Sequence, residues 1–150
     1  METKLISDFT GGEFQESFKL YFNELGVNVR DWDGLFHEMG SDGRGNLAYL
    51  GIEAGRAVGF IQFCPMDCEG WFMKKTLGFI REFWIAPEYR GQGCGSELLG
   101  LAEEYFKQKR ITAVALTTDT APGFYIKHGY RHDPGFAAKN GDPVYIKHLY

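Results

Sequence analysis

The segment REFWIAPEYRGQGCGSELLGLAEEYF, Arg81 to Phe106, constrains the fold of this chain more than any other part. A nearly unbroken apolar run ahead of it, TLGFIREFWIA, reads as a strand buried on both faces. The run enters three glycines at alternate positions, Gly91, Gly93 and Gly95. An amphipathic helix follows from about Gly95 to Lys109, with Leu98, Leu99, Ala102, Tyr105 and Phe106 on one side. One glycine would make a turn. Three in this spacing mark a backbone that approaches something closely, because glycine is needed where φ is positive or a β-carbon would block a ligand. A strand passing through such a turn into a helix aims several backbone N–H groups at one point, and the helix N-terminus adds partial positive charge. That is a place for an anion, most often a phosphate.

Two familiar phosphate loops do not fit. The P-loop pattern GxxxxGK[ST] needs a lysine before the hydroxyl residue, and here Gly95 precedes Ser96. The dinucleotide pattern GxGxxG is one residue short after Gly93, and Thr117 and Thr118 stand where it expects an acid.

The rest of the chain supplies a mixed α/β pattern. KLISDF reads as a first strand, and Phe14, Phe18, Tyr21, Phe22 and Leu25 recur at helical spacing before Gly26. DWDGLFHEMG is a second short helix with Asp31 as N-cap and Gly40 beyond its end. NLAYLGIEAGRAVGFIQF is a hairpin turning at Gly55, and CPMDCEGWFMKKTLG, with no clean period, reads as a long apolar loop. ITAVALTT is a buried strand, APGFYIKHG a short helix, and strands near YRHD and PVYIKHLY close the order β-α-α-β-β-β-α-β-α-β-β.

With 150 residues the chain is expected to form one domain, 1–150, around one core. A formal charge of −4 argues against nucleic acid as the main partner, since a phosphate backbone needs a basic face. It leaves room for a cationic substrate. The start, METKLISDFTGGEF, has no basic segment followed by an apolar run, and no stretch approaches membrane-span length. No membrane partner and a cytoplasmic location are expected, with reduced thiols at Cys64, Cys68 and Cys94. Cys64 and Cys68 lack the CxxC spacing and a second pair, so no metal is expected. His37, His128, His132 and His148 show no ligand spacing.

Arg90, Gly93 and Gly95 satisfy R-x-x-G-x-G, and in IAPEYRGQGCGSELL the chain resembles the GNAT superfamily of acyl-CoA-dependent N-acyltransferases. A second segment, APGFYIKHGY, is similar to that family's A-x-x-F-Y-x-K-x-G-F stretch at the family's spacing. The resemblance covers about the whole chain and is most specific from Ile80 to Tyr130. It implies a central mixed, mostly antiparallel sheet with helices on both faces, and two parallel strands splayed where coenzyme A enters. The backbone of Phe83, Trp84 and Ile85 would border the pantetheine arm, and the amides of Arg90, Gly91, Gln92, Gly93, Cys94, Gly95 and Ser96 would take the pyrophosphate. Cys94 stands where an aliphatic residue is usual, and Thr118 where the family often has an asparagine on the pantetheine. Phe124 and Tyr125 complete the implied acetyl-CoA contacts.

Acetyl transfer to an amine needs three things: loss of the ammonium proton, stabilisation of the thioester oxygen by a donor such as a strand N–H, and a proton for the thiolate. The resemblance assigns the last to Tyr125, whose bland reading is a packed aromatic. Glu82 is the only carboxylate in the apolar strand before the glycines, and burying it is costly without a partner or a task. It is either the base, directly or through water, or half of a structural ion pair; a water chain alone is a further route. Alternation puts Arg81 and Glu82 on opposite faces, and a bulge would change which face meets substrate. Asp31, Asp33 and Glu38 either border a cationic acceptor or form a solvated helix face, and Trp71 and Phe72 either line the acceptor pocket or cover the core. The expected activity is acetyl transfer from acetyl-CoA to a primary amine, with a small-molecule amine ahead of a protein amine. A non-catalytic acyl-CoA sensor is the rival, a homodimer is compatible with either, and no motif names the acceptor.

Overall fold

Phe14, Phe18, Tyr21 and Phe22 put an aromatic stripe on one face of an amphipathic segment, and that stripe makes helix α1, Gly12–Leu25. Gly26 stops it at φ 73°, its N–H bonding Asn23 O while Val27 N–H bonds Phe22 O, the paired bonds of a Schellman end. Helix α2, Trp32–Ser41, starts on Asp31, whose carboxylate accepts from Gly34 N–H at 2.9 Å. It runs one residue past Gly40, the expected stop, to a cap at Asp42.

The computed structural model describes residues 1–150. Strands β1 (Glu2–Ile6), β2 (Leu47–Glu53), β3 (Arg56–Glu69), β4 (Lys74–Ile85), β5 (Ala113–Thr117), β6 (Arg131–His132) and β7 (Val144–His148) hydrogen-bond in the order β1-β2-β3-β4-β5-β7-β6. Helices α3 (Cys94–Gln108) and α4 (Pro122–Lys127) fall between β4 and β6, so the element order is the one expected. The sheet is mostly antiparallel. Its parallel pairing joins β4 to β5 at Gly78↔Val114 and Phe79↔Ala115, a ladder shorter than either strand. No helix is long and apolar enough to cross a membrane.

The chain forms two compact units. The first, residues 1–64 and 81–102, has a core of Phe9, Phe14, Phe18, Phe36, Leu50, Phe60 and Trp84, with aromatic rings meeting edge-on as their quadrupoles favour. The second, residues 65–80 and 103–150, buries Leu77, Ala113, Ala115, Val144 and Ile146, with Met66 and Phe79 packed against them. Within it Gly78 lies under the Phe106 ring of α3, where no β-carbon fits.

The stretch CPMDCEGWFMKKTLG is not a loop. It carries β3 on to Glu69 and begins β4 at Lys74, and Gly70 N–H bonds Met73 O at 2.8 Å across the tip. Period failed as a signal here because the inward residues, Cys64, Met66 and Leu77, are separated by an exposed run from Asp67 to Lys75. Trp71, Phe72 and Met73 sit at that tip, 97%, 79% and 75% exposed, so they do not cover the core. At the other end of the hairpin Ala86 N–H bonds Val58 O at 2.8 Å. Between these two bonds β4 spends one residue more than β3, so the hairpin accommodates a bulge.

At that end Gly59 allows β3 to close on β4. A β-carbon there would press on Trp84 O and stand 3.0 Å from Ile85 Cα, backbone atoms that cannot swing aside. Gly59→Ala is expected to lower the unfolding free energy by roughly 1–3 kcal/mol, as overpacking does. Urea unfolding should show a lower midpoint at an unchanged slope.

Candidate functional site

The glycine turn is built by two features of the first unit. Gly91 and Gly93 take φ of 75° and 87°, the left-handed region that glycine enters without a steric penalty. Intrahelical bonding then starts with Glu97 N–H to Gly93 O, so the first turn of α3 presents the N–H groups of Cys94 and Gly95 ahead of it. A β-carbon on Gly91 or Gly93 would meet nothing within 4 Å, so the turn borders open space. Cys94 is buried, Gly95 half-buried, and Gly91, Gln92, Gly93 and Ser96 are exposed.

Arg90 holds this turn in place. Its guanidinium donates twice to the Glu24 carboxylate of α1, at 2.8 Å each, and through Nε to Ile85 O at 2.9 Å. Glu24 also accepts from Trp84 Nε1 at 3.4 Å, and the hydrogen bond from Arg90 holds its carboxyl below the usual carboxylate range. The side chain of Arg90 is therefore occupied, as is the carbonyl of Ile85. Trp84 points into the aromatic core, while Phe83 and Ile85 are half-buried.

Glu82 is half-buried and accepts a hydrogen bond from the Tyr21 hydroxyl of α1. Burial pushes its carboxyl above the ordinary range, and the Tyr21 hydroxyl and Arg81 pull the other way. Its neighbour Arg81 bonds Asn46 Oδ1 at 2.7 Å and lies 3.5 Å from Asp42. The structural ion pair considered for Glu82 thus forms at Arg81 instead. Glu82 faces a neutral phenol.

The remaining sequence-derived residues belong to the second unit. Thr118 Oγ1 accepts from Ala121 N–H at 3.2 Å and shapes the entry to α4. Phe124 lies against His128, and Tyr125 meets the ring of Tyr130 edge-on at 5.8 Å. Tyr130 N–H bonds Tyr125 O, and the Tyr130 hydroxyl donates to Glu103 at 2.7 Å, with Lys147 on the other Glu103 oxygen at 2.9 Å. Burial and Glu103 push the Tyr130 phenol far up, so it stays a donor. This network fixes the end of α4 that carries Tyr125.

Of the acids considered for an acceptor, Asp31 caps α2, and Asp33 and Glu38 are exposed on it. Three roles escaped the sequence reading: Tyr21, Glu24 and Glu103. Tyr21 had a signal, because it is the hydroxylated ring in a stripe of phenylalanines and a buried phenol needs a partner. Glu24 and Glu103 had none, their partners lying far along the chain.

The pattern of the Acetyltransferase (GNAT) family matches residues 6–130, and the chain belongs to that family. It is 41% identical over 81 residues to an uncharacterized N-acetyltransferase of Archaeoglobus fulgidus, covering 51% of this chain and 54% of that protein. The chain thus matches about half the length of that relative. Among solved structures it superimposes on an aminoglycoside 6'-N-acetyltransferase complexed with coenzyme A at TM-score 0.74, with 15% identity and 100% and 98% of the two chains covered. A GNAT-family acetyltransferase of Staphylococcus aureus Mu50 gives TM-score 0.71 at 19% identity, over 99% and 100%. These likenesses establish the fold.

The raised carboxyl of Glu82 has a thermodynamic consequence. A carboxyl whose folded value lies above its unfolded one adds stability at low pH, and that stability is lost as pH rises through the folded value. Glu82→Gln keeps an acceptor for Tyr21 and has no charge to bury. The variant should unfold at higher denaturant than wild type at pH 7, and the difference should vanish below about pH 4, under the ordinary carboxylate value. Denaturant titrations at both pH values check this.

Proposed function

We propose that this chain is an N-acetyltransferase that moves an acetyl group from acetyl-CoA to a primary amine by direct attack on the thioester. The observation that carries the reading is the turn from Arg90 to Ser96. Positive φ at Gly91 and Gly93 delivers the strand into the N-terminus of α3 with open space where side chains would stand. Backbone N–H groups at a helix start suit the pyrophosphate of coenzyme A, and they do so without basic side chains. Arg90, being tied to Glu24, acts by holding the turn and through its own amide.

Glu82 takes the ammonium proton, directly or through water, so that the neutral amine attacks the thioester carbon. The C–N bond forms, a strand N–H stabilises the oxygen, and on collapse the C–S bond breaks as the nitrogen sheds its second proton to solvent, from which the Tyr125 phenolate is reprotonated after giving its proton to sulfur. Tyr125 gives its phenolic proton to the departing thiolate. The backbone of Phe83 and Trp84 borders the pantetheine arm, and Phe124 and Thr118 complete the cosubstrate contacts. The acceptor is read as a small-molecule amine, ahead of a protein amine.

A screen of polyamines, aminoglycosides, amino acids and peptides with acetyl-CoA, read by free thiol release, tests the reading. Turnover with none of these classes, beside intact acetyl-CoA binding, would favour the non-catalytic sensor. Gly93→Val forces a branched side chain into a left-handed backbone and into the open space, so calorimetry should show acetyl-CoA binding abolished in a folded protein. Tyr125→Phe should leave acetyl-CoA affinity unchanged and lower kcat by on the order of 10²-fold, the scale of a positioned general acid. Turnover within about threefold of wild type, far short of that scale, would make Tyr125 a packing residue.

A further inference from the structure

We propose that Tyr21 is a positioning residue for the base, holding the Glu82 carboxylate through Oε2 so that Oε1 receives the substrate proton. The inference rests on the reading of Glu82 as base and adds a residue from a different element, α1, 61 positions away in the chain.

The geometry leaves the phenol little freedom. The Tyr21 ring is bracketed by Phe18, Phe22 and Phe60, with centroids at 5.7, 5.5 and 5.7 Å. Phe18 and Phe60 are fully buried, so they give the half-buried Tyr21 ring a fixed wall to pack on. Helix α1 is itself pinned just beyond Tyr21 by the Schellman bonds at Gly26 and Val27 and by the double Arg90–Glu24 contact. The hydroxyl therefore arrives at Glu82 on a rigid support.

The chemistry follows from which form of Glu82 the phenol favours. A base must be ionised before it can accept a proton, and a half-buried position opposes ionisation. A hydroxyl donating to one carboxylate oxygen stabilises the anion and fixes its plane, leaving the second oxygen for the incoming proton. The charged groups nearby are already committed. Arg81, on the same strand, is paired with Asp42 and Asn46; Glu24, on α1, is paired with Arg90. Tyr21 is thus the group that hydrogen-bonds the Glu82 carboxylate, while Arg81 acts on it through charge alone.

Tyr21→Phe removes the hydroxyl and keeps the ring. A carboxyl 13C NMR titration, with Glu82→Gln identifying the resonance, reads the effect without an acceptor. The Glu82 midpoint should rise by about one pH unit in Tyr21→Phe, the scale of one hydrogen bond to a charged group. With the best acceptor from the screen, the acid limb of kcat/KM should move up by the same amount. Activity should recover toward wild type at high pH, where the base is ionised in both proteins, and acetyl-CoA affinity should not change. An unmoved midpoint and limb in Tyr21→Phe, with the limb abolished by Glu82→Gln, would overturn the role of Tyr21 and leave Glu82 as base. A limb that survives in Glu82→Gln would overturn the base reading, and the role of Tyr21 with it. A lower unfolding midpoint with no movement of the limb would reduce Tyr21 to a structural contact and so also overturn the proposal.

Discussion

The end of β4 is held by backbone atoms, and the glycine turn depends on that hold. Ala86 N–H bonds Val58 O, Gly59 lets β3 press against Trp84 and Ile85, and Ile85 O takes the Nε–H of Arg90. The turn to α3 begins a few residues later, so its position is inherited from this closure. A side-chain anchor alone would permit drift, because long side chains have rotamers to spare. Here Arg90 is fixed at three points, two on Glu24 and one on the strand it follows. Its planar fork suits that task better than the single ammonium of a lysine.

Carboxylates in this chain divide by what they face. Glu24 meets a guanidinium and an indole N–H, and its charge is favoured. Glu103 takes a phenol and an ammonium on its two oxygens. Glu82 takes its hydrogen bond from a phenol, feels Arg81 only through charge, and lies in a setting that resists its own charge. The first two pairings are saturated and serve to hold elements in place. Glu82 is left with a raised proton affinity and a hydrogen bond from a neutral hydroxyl.

The hairpin tip sets a different balance. Trp71, Phe72 and Met73 are among the most exposed large apolar residues, beyond a two-stranded arm whose Asp67 accepts from Thr76. Such a tip gains nothing from the core of its own unit. Trp71, Phe72 and Met73 are carried outward by the pairing of β3 with β4.

The local features were legible in the amino-acid sequence. Gly26, Asp31, Gly55 and the glycines at 91 and 93 act through φ or a neighbouring N–H, so they can be read from a few residues at a time. The order of elements followed for the same reason, since period and stop signals are local. The sequence also carried the turn-to-helix pattern and the carboxylate at Glu82. It could not say which partners those groups would meet. Tyr21 on Glu82, Glu24 on Arg90, Asn46 on Arg81 and Glu103 on Tyr130 join residues at least 27 positions apart, and no local pattern encodes such pairs. The outer arm of the hairpin, from Pro65 to Lys75, was hidden likewise, because its strands are defined by bonding to each other while nearly all of their side chains point to water. Tertiary structure decided those pairings, and with them that Glu24 and Glu103 are held by charged partners while Glu82 takes its hydrogen bond from a neutral phenol.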